Sequence, residues 1–209
     1  KRTVVIAGGG TGGHLFPGIA LAEEFINRKD GWEVIFIGTG KGIERRVLSR
    51  RGFKLMTVPA VPLKGKTWGK KMVGLATLLR GIWWSRKLLR RIKPRLVIGL
   101  GGYTAGSVLL AASVLGIARV IQEQNVHPGL TNRMAARFSH RIFLSWTEGA
   151  RFFPPHKVRV TGNPLRREVL AGRGNKRDDR VFTLLFLGGS QGATTINRAV
   201  TEALPALEA

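Results

Sequence analysis

The sequence predicts an α/β fold built on a doubly wound parallel sheet, because short apolar runs alternate with longer helical patterns and glycine turns separate them. Strands are expected near residues 3–7, 33–37, 54–58, 95–99, 119–122, 141–144 and 157–161. Helices are expected near residues 16–28, 42–51, 69–92, 105–115 and 129–138. Such sheets bind ligands at the carboxyl ends of their strands, so the loops there are the first candidates for a site.

A charged, glycine-containing stretch at residues 171–180 has the composition of a linker. Residues 1–170 therefore form a first domain, and residues 181–209 begin a second. In the second, an apolar strand from Val181 to Leu187 precedes a glycine loop and a helical pattern, which repeats the order of residues 3–29. One strand and one helix cannot enclose a core, so we expect the chain to be a C-terminally truncated piece.

Composition and charge restrict the class of protein. The 209 residues contain no cysteine, which excludes disulfides and thiolate metal sites and fits a reducing compartment. A short strand follows Lys1 and Arg2, so no signal peptide is expected, and no run approaches the roughly 20 apolar residues of a membrane-spanning helix. The net charge of +23 calls for an anionic partner, and no acidic residue lies between Glu44 and Glu123.

The glycine-rich run from Gly8 to Gly13 follows the first strand and leads into the first helix. Glycines let backbone N–H groups approach an anion, and a helix N-terminus favours negative charge, so this order predicts a phosphate cradle. The run formally matches a dinucleotide fingerprint, but the acid expected at the end of the next strand is missing, since Glu44 lies inside the following helix. His14 adjoins the cradle, which indicates chemistry beside a phosphate.

Two further loops follow strands in the same way. Residues 99–106 are glycine-rich and open a helix, and residues 122–125 end the next strand with Gln-Glu-Gln-Asn. Because the carboxyl ends of parallel strands meet at one edge of a sheet, both loops are expected to gather near His14.

Five ordered motifs resemble the MurG-type glycosyltransferase family over essentially the whole chain. They are GGTGGHLFP at 9–17, GGY at 101–103, EQN with PGLTN at 123–132, GNPLR at 162–166 and GGSQGA at 188–193. The resemblance implies a GT-B fold of two Rossmann-like domains, with residues 1–170 as the acceptor- and membrane-binding N-terminal domain and residues 181–209 as the beginning of the donor domain. It also implies inverting transfer of N-acetylglucosamine from UDP-GlcNAc to lipid I, the undecaprenyl-diphosphate-linked muramyl pentapeptide, for peptidoglycan synthesis. No cofactor or metal is implied.

The resemblance also implies roles for individual residues. In the implied reaction a base takes the proton of the muramyl 4-hydroxyl as its oxygen attacks the anomeric carbon. His14 is the preferred base, because an imidazole is partly neutral at physiological pH, and Glu123 is the alternative, as base or as the group that orients the site. The residues matched to UDP-GlcNAc are Thr11, Gly12, Gly13, Asn125, Arg166, Ser190 and Gln191. The acceptor diphosphate is assigned to Gly10, Gly102, Tyr103 and Thr104.

One motif departs from the family. Where the family commonly continues Gly-Gly-Tyr with x-Ser-Gly-Pro, this chain has Thr104-Ala105-Gly106-Ser107. The sequence leaves open whether Thr104 or Ser107 supplies the missing hydroxyl.

The helix expected near residues 69–92 carries two apolar stripes, although packing on a sheet requires one. Either both stripes are buried, or one enters lipid while neighbouring cations meet anionic head groups, which is the favoured interpretation. The residues assigned to the membrane are Leu75, Leu79, Ile82, Trp83, Lys70, Lys71 and Arg86. The chain is then peripheral at the cytoplasmic face of the bacterial cell membrane.

Two alternatives remain open at this point. Tryptophans among basic residues are also typical of a nucleic-acid-binding module, but that function leaves the glycine loops unexplained, so no nucleic acid is expected as a partner. The other alternative is a GT-B transferase that acts on a different acceptor.

Overall fold

The structure, a computed structural model, describes residues 2–9, 11–40, 42–60, 68–171, 183–188 and 193–207. The chain divides into two compact units, Lys1–Leu170 and Ala171–Ala209.

A parallel sheet of seven strands forms the centre of the first unit. The strands are β1 (Arg2–Gly8), β2 (Trp32–Gly38), β3 (Lys54–Thr57), β4 (Leu96–Gly101), β5 (Ala118–Glu123), β6 (Arg141–Leu144) and β7 (Val158–Val160). Their spatial order is β3-β2-β1-β4-β5-β6-β7, so the direction of winding reverses between β1 and β4. The prediction of a doubly wound parallel sheet is therefore confirmed.

Helices cover both faces of this sheet. They are α1 (Gly12–Asn27), α2 (Ile43–Arg50), α3 (Trp68–Ile92), α4 (Gly102–Val114), α5 (Leu130–Ala135) and α6 (Arg167–Ala171). Successive side chains of a strand point to opposite faces. Thus Val4 and Ile6 of β1 pack in one core with α1 and α2, while Val5 and Ala7 pack in the other with α3, α4 and α5.

Helix α1 begins at Gly12, four residues before the expected start at Phe16. Glycine has a low helix propensity, so the sequence alone predicts a helix start after the glycine run, which is too late. Burial of Gly12 and Leu15 outweighs that propensity, and the carbonyl of Thr11 accepts hydrogen bonds from the N–H groups of His14 (3.3 Å) and Leu15 (3.1 Å). His14 is consequently fixed in the first turn of a helix.

The segment that follows β7 contacts the helices that cover β1 and β2. Arg51, directly after α2, bonds to Glu23 of α1 and to Glu168 of α6, the latter at 2.8 Å. A hydrogen bond from its own backbone N–H and another from Arg51 lower the pKa of Glu168. These contacts attach α6 to the body of the first unit.

The second unit contains α7 (Thr194–Leu207). The strand expected from Val181 to Leu187 is not observed over residues 183–188, which are irregular, and residues 181 and 182 lie outside the described part. A strand requires a hydrogen-bonded partner, and no other strand occurs in the described part of this unit. Leu185 and Leu187 consequently remain 77% and 74% exposed.

Candidate active site

A cleft of about 770 Å³ lies at the carboxyl edge of the sheet, beside the point where the winding reverses. Its wall is formed by the loops after β1, β4 and β5 and by the first turns of α4 and α5. The residues that were predicted from sequence and line it are Thr11, His14, Gly102, Tyr103, Thr104, Glu123 and Asn125. The expectation that these loops gather around His14 is confirmed.

Other predicted residues are not brought into this cleft. Gly12 and Gly13 lie in the first turn of α1 and do not line the wall. Arg166 stacks on Phe16, with its guanidinium carbon 4.4 Å from the ring centroid. Gly10, Ser190 and Gln191 lie outside the described residues.

The turn between β4 and α4 packs tightly against His14. Gly101 and Gly102 have φ values of 106° and 77°, a region that side chains disfavour. A Cβ on Gly101 would lie 2.9 Å from Cε1 of His14 and 3.3 Å from Nδ2 of Asn132. The backbone therefore approaches the imidazole this closely because residue 101 is glycine.

Gln124 selects the tautomer of the neutral His14 ring. The side-chain N–H of Gln124 donates to the carbonyl of Gln122 at 3.2 Å, so its Oε1 faces the other way as an acceptor. That oxygen lies 3.1 Å from Nδ1 of His14, and an acceptor there requires Nδ1 to carry the proton. Neutral His14 therefore keeps the lone pair of Nε2 available to accept a proton.

Glu123 is buried and fully engaged. It is 1% exposed, and its Oε1 accepts hydrogen bonds from the backbone N–H and side-chain Nδ2 of Asn125 at 2.9 and 3.0 Å. Its Oε2 accepts a hydrogen bond from Nδ2 of Asn132 at 2.9 Å. Both carboxylate oxygens are thus engaged by asparagine donors, so this geometry favours the orienting role over the role of base.

Asn132 is a cleft residue that the sequence reasoning did not assign. Its side chain is 1% exposed, and its Oδ1 is buried without a hydrogen-bond partner among the described residues. A buried acceptor without a donor is costly, by about 1–3 kcal/mol. The signal that could have identified it is its place in the PGLTN motif, at the start of the helix that follows the loop after Glu123.

Glu44 corrects the sequence argument about the end of β2. Its carboxylate reaches back from α2 to Gly9 and Gly38, so an acidic group does lie at the carboxyl end of that strand. It is 1% exposed and accepts hydrogen bonds from the Thr39 hydroxyl (3.2 Å) and the Gly40 N–H (2.9 Å). A carboxylate held in this way stabilises the glycine loops and is not presented to a ribose.

Helix α3 buries one face and exposes another. Gly81, Ser85 and Leu89 are buried, whereas Leu79 and Trp83 are 59% and 56% exposed. The alternative that both apolar stripes are buried is therefore wrong. Leu88, one helical turn after the exposed Trp84, packs against the core.

Cations surround the exposed aromatic residues of α3. The ammonium of Lys87 lies 5.6 Å from the ring centroid of Trp83 and 5.3 Å from that of Trp84. Ile82 and Arg86 are half-buried beside them. The side chains of Lys70, Lys71 and Leu75, which were also assigned to the membrane, lie outside the described part.

The described residues provide no candidate for a metal site or for a membrane-spanning helix. Over the described ranges, no three His, Asp or Glu side chains converge in a way that could hold a metal ion. None of the described helices combines the length and the apolar character needed to span a bilayer.

Comparison with known proteins identifies the family. The model of the glycosyltransferase family 28 N-terminal domain matches residues 4–144, which include most of β1, all of β2 to β6 and the whole cleft. The chain belongs to glycosyltransferase family 28. Membership agrees with the site, because the motifs that line the cleft are the ones that carried the resemblance to MurG-type enzymes.

The similar proteins agree with this assignment. Relatives from Geobacter metallireducens and Geobacter sulfurreducens, each named UDP-N-acetylglucosamine--N-acetylmuramyl-(pentapeptide) pyrophosphoryl-undecaprenol N-acetylglucosamine transferase, are 49% and 48% identical over 98% of this chain. The crystal structure of Acinetobacter baumannii MurG superposes with a TM-score of 0.72 at 27% identity, over 98% of this chain and 55% of that one. The resemblance is confirmed, and the chain spans 57% of the length of the two relatives.

The structure distinguishes between the hydroxyls of Thr104 and Ser107, the two candidates to replace the serine that is missing after the Gly-Gly-Tyr motif. Thr104 lines the cleft. Ser107 does not line the cleft, and its hydroxyl donates to the carbonyl of Thr104 at 3.0 Å. Thr104 is therefore the hydroxyl that is placed to replace the missing serine.

Proposed function

We propose that the chain is the acceptor-binding part of an inverting, metal-independent transferase that moves N-acetylglucosamine from UDP-GlcNAc to lipid I, giving lipid II. The observation that carries the proposal is the His14 imidazole, which is fixed by Gln124 with its Nε2 available in a cleft beside two glycine turns. The names of the Geobacter relatives support the choice of donor and acceptor.

In the proposed reaction, Nε2 of His14 accepts the proton of the muramyl 4-hydroxyl. The 4-oxygen forms a bond to the anomeric carbon of N-acetylglucosamine while the bond from that carbon to UDP breaks, and UDP leaves with the electron pair. Glu123 does not take the proton; it holds Asn125 and Asn132 in place around the reacting groups.

Helix N-termini supply the positive potential for the anionic groups. Helix α4 begins at Gly102 in the wall of the cleft, and its free N–H groups favour a diphosphate, which we assign to the acceptor with Tyr103 and Thr104. Thr11, the N-cap of α1, and Asn125 are placed to contact UDP-GlcNAc from the same wall.

Transfer of labelled N-acetylglucosamine to a lipid I analogue by the full-length protein tests the proposal. Replacing the base should lower kcat by about 100-fold or more, so we expect that loss for His14→Ala. His140→Ala is the matched control, because His140 bonds to Arg119 at the amino end of the sheet. Near-wild-type turnover of His14→Ala would contradict the proposal.

We also propose that α3 attaches the protein to the cytoplasmic face of the bacterial membrane as a peripheral protein. The exposed Leu79, Trp83 and Trp84 would enter the interface, while Lys87 and its basic neighbours meet anionic head groups. Each surface cation contributes about 1 kcal/mol, so a few give reversible attachment that keeps the cleft near a lipid-linked acceptor.

Sedimentation with anionic vesicles tests this attachment. Trp83→Ser should weaken vesicle binding by about 10-fold, since it removes a large apolar side chain from the interface. Val114→Ser is the control, because Val114 is 63% exposed but belongs to a different helix, α4. Equal binding by both variants, or preference of the wild-type chain for DNA at the same salt concentration, would contradict attachment through α3.

A further inference from the structure

A second, smaller cavity lies beside the cleft, between α3, α4 and α5. Its volume is about 130 Å³. Apolar side chains form most of its wall, including Pro59, Ala60, Leu78, Leu110, Met134 and Phe138. None of the roles proposed for the cleft uses this cavity.

Apolar atoms form nearly all of the wall, and the polar side chains in it are those of Tyr103, Ser107 and Thr131. A cavity holds ordered water when two to four polar partners point into it. The Ser107 hydroxyl, which also lines the cavity, already donates to the carbonyl of Thr104 at 3.0 Å. The cavity is therefore suited to hydrocarbon.

The cavity adjoins the proposed diphosphate site. Ala60, Tyr103, Thr131 and Met134 line both the cavity and the cleft. Tyr103 directly follows Gly102, the first residue of α4. A hydrocarbon tail attached to a diphosphate at this helix N-terminus would therefore need to pass only the Tyr103 side chain to reach the cavity. Met134 is 62% exposed and extends the apolar surface outward from the shared wall.

We propose that this cavity binds the isoprene unit next to the diphosphate of the lipid-linked acceptor. The proposal rests on the proposed function, in which Gly102, Tyr103 and Thr104 hold that diphosphate. The size fits, because an apolar cavity of about 150 Å³ admits a six-carbon hydrocarbon such as benzene. A cavity of about 130 Å³ thus accommodates the five carbons of one isoprene unit and not a longer segment.

Calorimetric binding of short prenyl diphosphates to the 209-residue chain tests the proposal. The probes are methyl diphosphate, dimethylallyl diphosphate with one isoprene unit, and geranyl diphosphate with two; all three share one head group. Burial of four additional carbons should raise the affinity at least about 10-fold from the first probe to the second. The further gain in affinity from dimethylallyl to geranyl diphosphate should be clearly smaller, because one isoprene unit already fills the cavity.

Two variants and one control test whether the gain in affinity from the first isoprene unit arises in the cavity. Leu110→Trp fills the cavity and should abolish the gain from the first isoprene unit, while the affinity for methyl diphosphate is kept. Val114→Trp places the same side chain on the solvent side of α4, where Val114 is 63% exposed, and should keep the gain. Met134→Ser changes an exposed side chain at the mouth and should reduce the gain about 3-fold, which preserves the test if Leu110→Trp fails to fold.

Different failures have different meanings. If methyl diphosphate binds and the first isoprene unit adds nothing, the cavity proposal is wrong and the diphosphate assignment stands. If the gain is the same in Leu110→Trp, Met134→Ser and Val114→Trp, the tail binds elsewhere and the proposal is also wrong. If methyl diphosphate itself does not bind, the diphosphate assignment is wrong and the cavity proposal falls with it.

Discussion

The two sides of the sheet's carboxyl edge each bury one glutamate, and they use it differently. On the β2 side, Glu44 closes the space between the glycine loops through Thr39 and Gly40. On the β5 side, Glu123 holds Asn125 and Asn132 around an open cleft. Both carboxylates are 1% exposed, so burial alone does not identify a catalytic acid. What distinguishes the β5 side is Oδ1 of Asn132, a buried acceptor that has no hydrogen-bond donor within the described ranges.

The largest effect is expected from a second carboxylate on the β5 side. Asn132→Asp replaces the donor to Oε2 of Glu123 by a like charge, which should lower the free energy of unfolding by about 3–5 kcal/mol at pH 7. Repulsion raises the pKa of one of the two carboxyls in the folded state above its unfolded value. The variant is therefore least destabilised at low pH, and the penalty grows as the pH rises through that pKa.

Urea unfolding at pH 5 and pH 7 measures this difference. Asn163→Asp is the control, because Asn163 is exposed. An equal loss of stability at both pH values would mean that Asn132 contributes packing and that charge is not the cause.

A smaller effect is expected on the β2 side. Glu44→Leu leaves the Thr39 hydroxyl and the Gly40 N–H without this acceptor and should lower the free energy of unfolding by about 2 kcal/mol. Thermal unfolding checks this, with the exposed Glu148→Leu as a control that should change stability by less than about 0.5 kcal/mol. If a folded, full-length Glu44→Leu protein lost N-acetylglucosamine transfer, Glu44 would have a role in the reaction, and the contrast between the β2 side and the β5 side would be wrong.

The smallest of these effects concerns the orientation of His14. Gln124→Leu removes the acceptor at Nδ1 and should lower kcat of the full-length protein about 10-fold, because the other tautomer becomes accessible. Gln124→Glu should restore turnover and move the acidic limb of the pH–rate profile to higher pH by about one unit, because a carboxylate favours the imidazolium. An unchanged profile in Gln124→Glu would mean that Gln124 does not act through His14.

The sequence was sufficient for the central strands, because β1, β2 and β4 are short apolar runs that are buried on both faces of the sheet. It was sufficient for the cleft because the loops at one edge of a parallel sheet converge. It could not place Glu44, whose carboxylate returns to Gly38 across a turn, or the bond between His14 and Gln124, which joins residues 110 positions apart. Such contacts depend on how the elements pack, and no local pattern encodes them.

In the second unit, the sequence predicted a strand that the structure does not contain in the described residues 183–188. The run at residues 183–188 has the apolar character of a strand, yet it is irregular in the described part of that unit. Strand formation depends on a neighbouring strand as well as on composition.

The central claim is that His14 presents an unprotonated Nε2 to the cleft because Gln124 engages Nδ1. Nitrogen-15 NMR of the histidine-labelled chain tests this directly, with His14→Gln used to assign the signal among the four histidines. The account predicts that neutral His14 carries its proton on Nδ1. A neutral His14 with its proton on Nε2 would contradict the account.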